Sequence, residues 1–295
     1  MHNVLDNNKS LSEENKRVPR IQSLVHTNMA LVLGFLITFA MVVIALTAPF
    51  FSPYDPIIQD IPHRMEKPNG LHPFGTDNLG RDVFTRVLYG TRLSLLAGFT
   101  IVFISSIVGT VLGVVGGYLG GTFDEVIMRI TDIFLSMPYL ILAMAIAAAL
   151  GPGLTNAMIA VSAVWWPSYA RLVRGQALSV RTREYIEAAI SIGAKPTRII
   201  FRHVLPNCWD VVVVQASLDF GNAIMMAAAL GFLGLGAQPP QPEWGAMISF
   251  SRTYMRESWW MAVFPGLAIF ITVLGFNLFG DGLRDLIDPR RRKLS

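Results

Sequence analysis

The chain has 295 residues, 53% of them hydrophobic and only 15% charged, and its mean hydropathy is +0.48. A soluble domain carries about a quarter charged residues, so this deficit excludes an ordinary soluble fold and points to a chain that crosses a membrane several times. The net charge of +4 does not indicate nucleic acid, because the basic residues gather in particular loops, and the single cysteine, Cys208, excludes an intrachain disulfide or a cysteine metal cluster.

Six apolar runs follow in chain order, judged against the roughly 20 apolar residues that a helical span needs. Residues 1–27 are mostly polar. The first run, 28–48, is longer than the apolar core of a cleaved leader, about 7 to 15 residues, and reads as a retained first span. The second covers 93–118 and the third 130–150. The fourth, 154–170, is shorter and holds Trp165, Trp166 and Pro167; the fifth is 209–236 and the sixth 259–280. The runs are continuously apolar rather than alternating, so helices are predicted and a barrel is not. The expected fold is all-α with six transmembrane helices. It divides into a tail (1–27), a first helix (28–50), an outer segment (51–92), a five-helix core (93–280) and a basic tail (281–295).

Lys and Arg set the orientation. The first tail holds Lys9, Lys16, Arg17 and Arg20. The loop 171–207 holds Arg171, Arg174, Arg181, Arg183, Lys195, Arg198 and Arg202, and the chain ends DPRRRKLS. Six spans put all three on one side, the cytoplasm. The stretches 49–90 and 237–258 then face outward, where basic residues are balanced by acids such as Asp77, Asp82 and Glu243. Trp244, Trp259 and Trp260 are expected at the outer interface, and Trp165 and Trp166 at the inner one, as aromatic anchors. Gly109, Gly113, Gly117 and Gly121 recur every fourth residue, a face on which another helix, in this chain or another, can approach closely.

The polar stretch EYIEAAISIGAKPTRIIFRHVLPN, 184–207, interrupts the apolar runs. Tyr185, Ala188, Ala189 and Ile192 share one helical face. Gly193 can end that helix in a left-handed conformation, and Pro196 suits the first turn of a second one, which Pro206 is expected to end before the chain enters lipid. The result is a short helix–turn–helix projecting from the membrane. Composition leaves open whether it docks against a protein or lies on anionic lipid.

Within the spans, Asp219 stands out, because a carboxylate in lipid is costly. It either lines a translocation path together with Asn222, or pairs with Asn222 or with a helix of another subunit. Glu125, Arg129 and Asp132 have the spacing of helical ion pairs and read as structural. No two of the five histidines have metal-ligand spacing on one helix face. GxxxxGK[ST], GxSxG and HExxH are all missing, so the chain should not hydrolyse ATP itself, and no catalytic residue or cofactor site is predicted. An integral membrane enzyme using Asp219, or a stand-alone channel, is the alternative class.

The 184–207 stretch resembles the EAA loop of ABC importer permeases: EAA, three residues, Gly, nine residues, Ile, one residue, Leu-Pro. The matching positions are Glu187, Ala188, Ala189, Gly193, Leu205 and Pro206, with His203 in place of the isoleucine. The stretches 72–95, 230–248 and 276–290 are similar to the dipeptide, oligopeptide and nickel permease family. The resemblance implies one of two homologous permease subunits in an importer of peptides, or of nickel or another small solute. It also implies two cytoplasmic ATP-binding subunits seated on the EAA loop, and an extracytoplasmic solute-binding protein.

Overall fold

In the computed structural model, residues 29–287 are described; the first predicted tail, 1–27, and residues 288–295 of the second lie outside them, while 281–287 continue α10. The described part is built from helices: α1 (Met29–Phe51), α2 (Val83–Leu119), α3 (Gly121–Ser136), α4 (Tyr139–Leu150), α5 (Leu154–Arg181), α6 (Glu184–Ser191), α7 (Pro196–Ile199), α8 (Leu205–Phe232), α9 (Trp244–Ser251) and α10 (Trp260–Ile287). Among the described residues, four helical stretches are long and apolar enough to cross a membrane: α1, α2, Pro196–Phe232 and α10. The pair α3–α4 makes a fifth if counted as one bent span. The expected fourth span, 154–170, is the first part of α5, which is not among these four and runs on through Arg171, Arg174 and Arg181.

The third run is not one straight helix. It bends by 96° between Ser136 and Tyr139, where the residue before Pro138 is pushed to extended backbone. Nor does Pro206 end the second helix of the polar stretch. The chain runs from α7 through a π-helical turn, Ile200–Val204, directly into α8. The wider turn accommodates a proline that cannot donate a backbone hydrogen bond.

The glycine face finds its partner inside the chain. Gly109, Gly113 and Gly117 lie against α5, where an added Cβ would fall 2.4 Å from Tyr169 Cβ, 2.5 Å from Ala170 O and 2.8 Å from Ala177 Cβ, respectively. Residues 109 to 117 and 169 to 177 advance together, so α2 and α5 run parallel in near-backbone contact. Gly121 does not belong to this face. Gly120 ends α2, and Gly121 has open space around it.

Three apolar clusters hold the helices. One joins α2, α4, α5 and α8 around Ile101, Val161, Ala223 and Leu230. A second lies where α2, α5, α6 and α8 converge, around Val173, Ile186, Ile199 and Cys208. A third joins α1, α2, α9 and α10 around Val83, Trp244 and Trp260.

The outer segment is held by buried polar groups. Asp77 accepts from Arg81 Nε at 2.7 Å and lies 3.6 Å from Arg86, which also donates to Pro56 O at 2.5 Å. Asp82 caps α2 through Thr85 N at 2.7 Å and meets His72 at 2.9 Å. Trp244 and Trp260 are not interfacial anchors. Both are buried, and their indole N–H groups donate to Val87 O at 3.1 Å and Thr76 O at 3.0 Å. Trp259 is half exposed, as an anchor should be.

Candidate functional sites: the helical elbow and the core carboxylate

The stretch 184–207 is an elbow of two short helices. A two-residue turn, Thr182–Arg183, joins α5 to α6. At the other end of α6, Gly193 has φ +78. Its N–H donates to Ile190 O at 2.9 Å, and Ala194 N–H donates to Ala189 O at 3.0 Å. This paired closure satisfies the last carbonyls of α6 and requires a residue at ease with positive φ. Pro196 then opens α7. The predicted stop and start are both formed.

The elbow is fastened by a few apolar residues. Ile186, Ala189, Ile199 and Val204 are buried against Val173, Val180 and Cys208. Of the predicted α6 face only Ala189 is buried; Tyr185, Ala188 and Ile192 are exposed, Ile192 at 86%. Phe201 is 71% exposed. Glu187 is exposed as well, and Leu205 and Pro206 lie where the π turn enters α8. His203, standing where the EAA pattern has isoleucine, lies in the π turn with its ring 6.1 Å from that of Tyr185 on α6. The segment therefore presents a small-residue and apolar surface with an acid beside it.

The corner behind the elbow is ionic. Arg174 on α5 makes a two-pronged pair with Asp124 on α3, at 2.5 and 2.6 Å, and Arg171 pairs with Asp132. These partners replace the expected Glu125–Arg129–Asp132 ladder, in which Glu125 and Arg129 are exposed.

Asp219 is buried on α8. Gln215 Nε2 donates to its carboxylate at 3.1 Å, and the Tyr169 hydroxyl on α5 faces the same carboxylate without a well-formed hydrogen bond. Asn222, three residues on, is exposed, so the two do not pair. An apolar groove of about 660 Å³ runs between α2, α8 and α10, lined by Phe99, Thr110, Trp209, Ala216 and Phe276 among others, and Asp219 is not part of it. No group of three or more metal-ligating side chains occurs among the described residues.

Sequence reasoning placed Glu243 only among the balancing outer charges and missed its buried role. It is 1% exposed and caps α9 through Gly245 N at 2.8 Å and Ala246 N at 2.9 Å. Burial pushes its carboxyl above the usual range, against those two N–H groups and the Ser94 hydroxyl. An acid just before a tryptophan at a helix start was the available signal.

Residues 109–293 match the model of the binding-protein-dependent transport system inner membrane component family, and residues 26–69 match that of the N-terminal TM domain of oligopeptide transport permease C. The chain is 51% identical, over 85% of its length and 84% of the relative's, to the probable D,D-dipeptide transport system permease protein DdpC of Escherichia coli (strain K12). It is 48% identical, over 90% and 87%, to the dipeptide transport system permease protein DppC of Alkalihalophilus pseudofirmus. It is 44% identical, over 98% and 97%, to the di/tripeptide transport system permease protein DppC of Pseudomonas aeruginosa. A chain of the MetNI methionine ABC transporter, in an inward-facing conformation, shares the fold with a TM-score of 0.53 and 20% identity, over 72% of this chain and 97% of that one. The chain belongs to the family of binding-protein-dependent transport system inner membrane components, the membrane subunits of ABC transporters.

Proposed function

We propose that this permease subunit imports short peptides, dipeptides foremost, in a complex with a second homologous permease, two cytoplasmic ATPases and an extracytoplasmic binding protein. The peptide substrate rests on the names of relatives at 44–51% identity. In this reading the first tail, the loop 171–207 and the last tail are cytoplasmic, as their Lys and Arg content requires. Asn222, exposed on α8 with Asp219 buried behind it, borders the path.

One observation carries the coupling mechanism. The elbow leaves Tyr185, Ala188, Ile192 and Phe201 bare in a segment too polar to sit in lipid. A surface of that kind fits a complementary protein cleft. Glu187, Ala188 and Gly193 form the seat for the ATPase with Ala189 packed beneath it, and Leu205 and Pro206 pass its movement into α8 through the continuous π turn. Closure of the ATPase pair then displaces α5 and α8 together, and the spans change their access.

The test is peptide uptake by proteoliposomes of the assembled complex. Glu187→Arg is expected to assemble and to hydrolyse ATP while losing most uptake, and Gly193→Val, which cannot hold the positive φ of the α6 closure, to lose uptake together with the shape of the seat. Full ATP-driven uptake in both variants would reject the seat.

A further inference from the structure

Of the 16 residues of α3 only one, Thr131, is buried. Two consecutive glycines join it to α2, Gly120 at φ +68 and Gly121 at φ +60. An added Cβ on Gly121 would meet nothing within 4 Å. The joint is therefore made of two residues that change backbone conformation at low steric cost. Beyond α3 the chain bends by 96° into α4, whose Tyr139 and Ile141 are exposed. So α3 is an arm, hinged at Gly120–Gly121 and joined at the bend to α4, whose Ala143 and Ala147 are buried in the first cluster against α5.

Near the hinge Asp124 and Ile127 lie beside Gly116 of α2, and what holds the arm to α5 is mainly electrostatic. Asp124, three residues past the hinge, takes both prongs of Arg174 at 2.5 and 2.6 Å, with side-chain exposures of 14% and 33%. Asp132, two turns further out, pairs with Arg171, and there the exposures are 63% and 55%. Phe134 adds an edge contact to Trp166 at 5.7 Å. Every one of these partners lies on α5. That helix is locked to α2 through Gly109, Gly113 and Gly117 and ends two residues before the elbow.

The two ion pairs differ in strength. A two-pronged, half-buried Arg–carboxylate pair is strong and directional. An exposed pair contributes little and is easily exchanged for water. The inner pair fixes where the arm pivots, and the outer one can open first.

We infer that Asp124–Arg174 and Asp132–Arg171 form a latch that ties the hinged arm α3 to α5, so that movement of the elbow reaches the first half of the broken span. Arg174 and Asp124 are positioning residues for transport: they touch no substrate and set the arm's place relative to α5. The inference rests on the ATP-coupled reading and adds to it the route by which the first half of the third span follows the elbow.

The test uses the complete complex in proteoliposomes, supplied with ATP, binding protein and a labelled dipeptide. Asp124→Arg and Arg174→Asp should each lower uptake per ATP hydrolysed on the order of tenfold, the scale of a coupling free energy between sites. The double reversal, which remakes the pair in the opposite sense, should recover most of that loss. If the single reversals fail to assemble with the other subunits, Asp124→Asn and Arg174→Gln take their place and should show the same loss. Absence of rescue in the double reversal, or unchanged coupling in the neutral variants, overturns the latch.

A second arm of the experiment does not depend on the substrate. Cysteines at positions 132 and 171, joined by a short reducible bifunctional thiol reagent, should depress ATP hydrolysis on the order of tenfold and restore it on reduction. Unchanged hydrolysis in fully cross-linked complex also overturns the latch. A wild-type complex that hydrolyses ATP but takes up no dipeptide rejects the substrate and leaves the latch to this arm.

Discussion

Replacing Gly113 by alanine should force α2 and α5 apart. The new Cβ would sit 2.5 Å from Ala170 O, 2.9 Å from Val173 Cβ and 3.0 Å from Arg174 N. Carbon–carbon contacts settle at about 3.5–4.0 Å, so the helices must separate by about 0.6–1.1 Å at Val173 alone. Two of the three neighbours are backbone atoms and cannot rotate away. Overpacking of this kind costs about 1–3 kcal/mol. Gly175 is the control. It lies within α5, and a Cβ there would meet nothing within 4 Å. Alanine at that position should be neutral or add up to about 1 kcal/mol, because it is the better helix former. Thermal unfolding of the solubilised complex compares the two. The same chemical change should lower the midpoint at 113 and hold or raise it at 175. Equal shifts, or a stabilised Gly113→Ala, would refute the direct α2–α5 contact.

Other outcomes follow from the outer segment. Asp77→Ala leaves Arg81 and Arg86 buried without their carboxylate and should cost about 3–5 kcal/mol, read as a lower unfolding midpoint and faster proteolysis of 52–82. Trp260→Phe removes the donor to Thr76 O and should cost about 1–3 kcal/mol, measured in the same unfolding assay. Glu243 gives a pH dependence. Its carboxyl is raised in the fold, so its contribution is fully present below the ordinary glutamate pKa and is lost as pH rises through the folded value. The difference in stability between wild type and Glu243→Gln should therefore shift in favour of the variant as pH increases from about 4. A difference that stays flat with pH would show that Glu243 does not titrate above its ordinary range.

Much of the fold is readable from the residues because long apolar runs have one physical solution in lipid. The elbow is readable for a similar reason: Gly193 and Pro196 act locally, and each does at its place what its backbone allows. What escaped depends on contacts distant in sequence. The charges of the outer segment look like a balance of signs, yet Asp77, Arg81 and Arg86 are a buried cluster. Trp244 and Trp260 look like interface anchors, and only the approach of Val87 and Thr76 makes them core residues. Gly121 keeps the spacing of the glycine face but falls beyond the end of α2. Glu125 and Arg129 have the spacing for a pair, but the stronger partners of α3 wait on α5, some 40 to 50 residues away. Asp219 was conspicuous from the start, and the neighbours it has, Gln215 and Tyr169, come from its own helix and from α5.

The central claim is that this chain works as one subunit of an ATP-driven assembly, engaged through 184–207. The most direct measurement is purification of the full chain from its native membrane in mild detergent, with the accompanying proteins identified by mass spectrometry. The account predicts a homologous permease and two ATPase subunits, with the ATPases lost when Ala188 and Ile192 on the exposed face of α6 are replaced by arginine. A chain recovered alone, stable and monodisperse, would contradict it.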